Sequence, residues 1–98
     1  MLKKNYSKTG KVCRVTFKLP PEVVAENAAI CGEFNKWDKT SHRMKPLKKG
    51  GFSLTVSLQS GKSYCFRYLL DEKHWLNDKD ADQFVRNGFG SENCLIQT

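Results

Sequence analysis

The stretch Phe52-Ser53-Leu54-Thr55-Val56-Ser57-Leu58 decides the fold class. Its apolar side chains alternate with small hydroxyl residues, the period-two pattern of a strand with one buried and one wetted face. Gly50-Gly51 before it and Ser60-Gly61 after it are turn signals. The same period resumes beyond the second turn. Tyr64, Phe66, Tyr68 and Leu70 share one face, and Cys65, Arg67 and Leu69 the other. The short connection predicts that 52–58 and 64–70 are adjacent antiparallel strands.

Working outward, Cys13, Val15, Phe17 and Leu19 alternate with Arg14, Thr16 and Lys18, a further half-buried strand. Pro20-Pro21 ends it, because proline has no amide to donate to a ladder. Glu22 to Asn27 reads as a helical turn or a loop, too short for a helix that stands alone. Ala28 to Cys31 is another strand, and residues 38–49 are polar with Met44, Pro46 and Leu47 as contact points. Asp71-Glu72-Lys73 is a tight turn, and His74-Trp75-Leu76 a short return. Asn77 to Asp82 is acidic and irregular, and Cys94 to Gln97 is the last strand. Short strands with turn signals every 8–12 residues predict an all-β antiparallel sandwich. Residues 1–10 read as a flexible basic arm and 11–98 as a single domain.

The 98-residue length fits one domain. No apolar run approaches the roughly 20 residues that span a bilayer. The basic start carries no apolar block behind it, so a secretory leader is not expected and the expected location is cytoplasmic, with no membrane partner. Four cysteines stand at 13, 31, 65 and 94 without a Cys-x-x-Cys pair. They read as reduced, mostly buried thiols in preference to a metal site or two disulfides. The net charge of +7 is uneven. Lys3, Lys4, Lys8, Lys11, Arg14 and Lys18 precede any acid, and Arg43, Lys45, Lys48 and Lys49 form a second cluster. Such a balance suits either a solvated surface or a polyanion partner.

Little here suggests catalysis. Asp78, Asp80 and Asp82 share a loop, yet the glycine and distal glutamate of a calcium loop are missing, and the loop reads as a solvated turn. His42 and His74 have no ligand spacing. No nucleophile elbow, phosphate-cradling loop or dinucleotide fingerprint occurs. The expectation is a non-enzyme with neither metal nor cofactor. Binding is better supported. The turn Cys31-Gly32-Glu33-Phe34-Asn35-Lys36-Trp37-Asp38 puts a large ring where chains are normally wet. That ring either anchors its own loop or is covered from outside. Trp75 follows a hairpin, Phe89 lies between glycines, Arg67 is on the outward face of its strand, and Asn93 begins the last one. If these converge, flat rings beside a guanidinium and an amide suit a sugar polymer. By analogy with base stacking, each ring contributes roughly 1–3 kcal/mol. The same parts could stack RNA bases, although the basic residues flank the aromatic set rather than interleave with it, so nucleic acid ranks last.

Five pieces carry a resemblance in order along the chain: Gly32 to Trp37, Gly51 to Leu54, Tyr64 to Asp71, Trp75 to Asp78, and Asn87 to Asn93. From about Val12 onward the sequence resembles the glycogen-binding, early-set modules at the N-terminus of isoamylase and branching enzyme and in the beta subunit of AMP-activated protein kinase. It is most similar to short stand-alone bacterial isoamylase early-set proteins. The resemblance implies an immunoglobulin-like β-sandwich that binds α-1,4-glucan without catalysis. Trp37 and Trp75 would stack on glucose rings. Arg67 stands where the kinase modules have a sugar-bonding lysine, Phe89 replaces an aliphatic residue reaching into the curved glucan, and Ser91 and Asn93 match polar contacts. The hairpin Asp71-Glu72-Lys73-His74 departs from the pattern: it lacks the glycine after Asp and is one residue longer than the kinase form. The implied partner is an α-glucan. The alternative is a module that docks a separately encoded enzyme of glycoside hydrolase family 13 type, or another glycogen-metabolising partner, with little sugar binding of its own.

Overall fold

The computed structural model describes residues 2–86 and 91–98. The strands are β1 (Leu2–Tyr6), β2 (Val12–Leu19), β3 (Ala28–Gly32), β4 (Lys45–Pro46), β5 (Phe52–Gln59), β6 (Ser63–Leu70), β7 (His74–Leu76), β8 (Gln83–Arg86) and β9 (Glu92–Gln97). A single 3-10 turn covers Glu33–Asn35. No helix among the described residues is long and apolar enough to cross a membrane.

Every ladder is antiparallel. One sheet runs β1-β2-β5-β4 and the other β3-β6-β9-β8, with β7 also on β6. This is the all-β sandwich expected of an immunoglobulin-like domain. The alternating residues of β2 behave as their period requires: Cys13, Val15, Phe17 and Leu19 are fully buried. Opposite them, Ile30, Phe66, Tyr68, Cys94 and Ile96 close the core from the second sheet. The Phe17 ring meets Phe66 edge-on at 5.2 Å and Tyr68 at 6.3 Å, the offset geometry that the aromatic quadrupole favours. All four cysteines are free, three of them buried.

Two expectations fail. First, β5 and β6 are not neighbours in a sheet. β5 is held by β2 and β4, and β6 by β3, β7 and β9. The connection between them crosses from one sheet to the other. Gly61 adopts a left-handed φ of 73° there, and the Ser60 amide is held by the Lys11 carbonyl at 3.0–3.2 Å scale, 3.1 Å. Stacking the two apolar faces against each other buries both, whereas side-by-side pairing would leave each without a cover. Second, residues 2–6 are not part of a flexible arm. β1 pairs with β2 from Leu2↔Phe17 to Tyr6↔Cys13. Leu2 packs against the core, Lys4 Nζ meets an Asp82 oxygen at 2.7 Å, and the Tyr6 hydroxyl donates to the Thr98 carbonyl at 2.6 Å.

The acidic loop also differs from the solvated turn expected of it. Asp78 is fully buried. Its carboxylate accepts from the Tyr68 hydroxyl at 2.6 Å and from the Asp80 amide at 2.8 Å. Burial, then the adjoining carboxylate, drive the Tyr68 hydroxyl far above its ordinary pKa, so it stays a donor. Asp78 therefore pins the loop after β7 to the middle of β6.

Candidate functional site

The outer face of the second sheet is built around β6. On one side β3 pairs with residues 66–70 of β6; on the other, β9 pairs with 63–66 and β7 with 68–70. Arg67 falls between the end of β7 and the start of β9. Its Nε donates to Asn77 Oδ1 at 2.9 Å, and Asn77 Nδ2 donates to the Glu92 carbonyl at 3.0 Å. Asn77 thus fastens the guanidinium while bridging the gap between two strands. The Arg67 guanidinium carbon lies 5.6 Å from the Trp75 ring centre, within cation–π range. Trp75 is paired with Leu69 in the ladder and keeps 40% of its surface exposed. The ring is therefore oriented by the guanidinium and still open to a ligand.

Register adds a neighbour. Leu95 pairs with Cys65, and Asn93 pairs with Val85. Two residues from Leu95 along β9, Asn93 is on the same face as Arg67. Both Ser91, just before β9, and Asn93 are half-buried. Phe89 lies outside the described residues.

Trp37 arrives from a different element. Gly32 ends β3 where there is no room for a side chain: an added Cβ would sit 2.6 Å from the Cys65 carbonyl and 2.9 Å from Phe66 Cβ. Glu33 then turns its carboxylate onto the Cys65 amide at 2.6 Å. Asn35 ties the turn together. Its Oδ1 accepts from the Gly32 amide at 3.0 Å, and its Nδ2 donates to the Ile30 carbonyl at 2.9 Å and lies 2.9 Å from His42 Nδ1. The chain leaves with Lys36 and Trp37 both left-handed, at φ 56° and 60°. A bulky residue seldom adopts that conformation. The Trp37 amide is held by the Gly32 carbonyl at 2.8 Å. The Cys31 thiol, on the Arg67 side of the sheet by its pairing, reaches the Asp38 carbonyl at 3.6 Å. The loop carrying Trp37 therefore folds over the β3 border of the face that holds Arg67 and Trp75. Burial raises the Cys31 pKa, keeping it a neutral thiol there. At the loop's end, the Thr40 amide and then its hydroxyl hold the Asp38 carboxyl below its ordinary range.

The structure brings Arg67 and Trp75 into contact, puts Asn93 on their face and seats the Trp37 loop at its border. Sequence reasoning missed Asn77 and Asn35, the two amides that fix this arrangement. For Asn77 the signal was present: it is two residues from Trp75, hence on the same side of the chain. Among the described residues no group of three His, Cys, Asp or Glu side chains is gathered to hold a metal ion.

An antiparallel sandwich that fixes an exposed indole against a guanidinium on a flat sheet face has the architecture of a binding module. The chain belongs to the carbohydrate-binding module 48 family, described as the isoamylase N-terminal domain, which it matches over residues 9–84. That span takes in Trp37, Arg67 and Trp75. No curated protein matches the chain.

Proposed function

We propose that the chain is a non-catalytic module that binds α-1,4-glucan of the glycogen or starch type. Trp37 and Trp75 stack on glucose rings, while Arg67, Asn93 and Ser91 hydrogen-bond the hydroxyls and Phe89 enters the curve of the glucan. The observation that carries this reading is the half-exposed Trp75 indole braced by Arg67, itself fixed by Asn77. A guanidinium so held keeps free N–H groups for a sugar oxygen without losing much side-chain entropy on binding. Two stacked rings give an affinity of about micromolar to millimolar. Titration with maltoheptaose or β-cyclodextrin, followed by tryptophan fluorescence and amide NMR shifts, tests it. Saturable changes at Trp37, Arg67 and Trp75 are expected; a silent spectrum at millimolar sugar would refute sugar binding.

A second reading has its own support. On the β8 edge, Phe84 and Val85 are 46% and 38% exposed, and Val85 is paired with Asn93 of the same sheet. An exposed edge with apolar side chains is a place for a protein to dock. In that reading the module seats a glucan-metabolising enzyme. Phe84→Ser would abolish co-purification with that enzyme and leave maltoheptaose binding intact.

A further inference from the structure

The opposite side of the sandwich carries a different chemistry. Lys3 of β1, Arg14 and Lys18 of β2, and Lys45 of β4 all face outward from the four-stranded sheet, as their pairings with Thr16, Ser57 and Ser53 require. None of the outward positions on these four strands is an acid or an aromatic residue. At one end of the face lies an open hollow of about 340 Å³, lined by Leu2, Lys3, Thr16, Lys18, Leu47 and Ser53. The ladder sets Lys3 beside Thr16 and Lys18 beside Ser53. Two ammonium groups thus alternate with two hydroxyls, and two leucines form the walls.

We infer that this hollow binds an organic phosphate monoester. A phosphoryl dianion accepts from both ammonium groups and from the hydroxyls, and charge-assisted bonds of this kind are the strong ones. Single surface lysines contribute little, so recognition depends on the two converging on one anion. Leu2 and Leu47 offer contact to the carbon body of an ester, which inorganic phosphate does not have. The lack of aromatic residues on this face argues against single-stranded nucleic acid, whose bases need stacking platforms.

The test is an amide NMR titration of the full chain with phenyl phosphate, inorganic phosphate, sodium chloride at matched ionic strength, and a short oligothymidylate. Phenyl phosphate is expected to move Lys3, Thr16, Lys18 and Ser53 and to bind more tightly than inorganic phosphate. Lys18→Ala, with an otherwise unchanged spectrum, should weaken it about tenfold. Maltoheptaose should leave these amides unmoved, so the result stands apart from glucan binding. Equal shifts with chloride, or equal affinity for inorganic phosphate, would overturn the inference. So would oligothymidylate binding across Arg14 and Lys45 in the absence of a phenyl phosphate response.

Discussion

Trp37 and Trp75 are held in different ways. Trp75 sits in regular strand geometry and gains orientation from Arg67, an interaction worth about 0.5–1 kcal/mol at an exposed site. Trp37 is held in a left-handed backbone that costs a residue with a Cβ roughly 1–2 kcal/mol. Strain kept at an exposed aromatic residue is a common mark of a binding position, and here Asn35 and the Gly32 carbonyl sustain it. If both rings stack on sugar, Trp37→Ala and Trp75→Ala should each weaken maltoheptaose binding by about tenfold or more, equivalent to roughly 1.4 kcal/mol. Isothermal titration alongside unfolding curves would separate lost contact from lost folding. Arg67→Lys should also weaken binding, because a lysine lacks the planar fork that meets Asn77 and the indole together.

Among the elements, the β6–β7 hairpin is built against local preference. The Lys73 amide bonds the Leu70 carbonyl at 3.0 Å, and the two residues between, Asp71 and Glu72, have φ of 52° and 62°. Asp71 compensates by accepting from the Glu26 and Asn27 amides at 2.7 and 3.1 Å. Glu72 has only a 3.9 Å ion pair with Arg43 in which both side chains are well exposed, worth little. Relief of a left-handed Cβ outweighs the extra chain entropy of glycine by about 0.5–1 kcal/mol. Glu72→Gly should therefore raise the urea midpoint at unchanged m-value. This turn was legible as a turn because Asp-Glu-Lys interrupts two apolar runs, and the strands around it were legible from their alternation. Alternation assigns a face but no lateral partner, which is why β5 and β6 read as neighbours. β1 and β8 were illegible for a related reason. Leu2-Lys3-Lys4-Asn5-Tyr6 and Gln83-Phe84-Val85-Arg86 are edge segments, wet on more than one side, and edges need no clean period. Of the candidate site, the rings and Arg67 were readable as residue types. The amides that orient them were not, since an Asn in a loop looks the same whether it braces a neighbour or faces water.

For the whole molecule, closure of the sandwich depends on contacts between chain segments far apart in sequence, and one of these is sensitive to pH. Burial pushes the Asp82 carboxyl upward, but the Gln97 amide and Lys4 outweigh it and hold its pKa below the ordinary value. Its contribution to stability is thus complete above the unfolded carboxylate value, about 3.9, and is lost as pH falls through the lower folded value. Lys4→Met should reduce stability near neutrality and flatten the acid limb of the stability curve, as read by urea unfolding across the acid range. The four free thiols have a different consequence. Cys13, Cys31 and Cys94 are buried with the core, and burial holds Cys31, Cys65 and Cys94 above the ordinary thiol pKa. Electrophiles and oxidants therefore meet little thiolate while the sandwich is shut. Once it opens, all four sulfurs become reactive together, and irreversible cross-linking competes with refolding, so the lifetime of this protein in air is governed by how often its two sheets part.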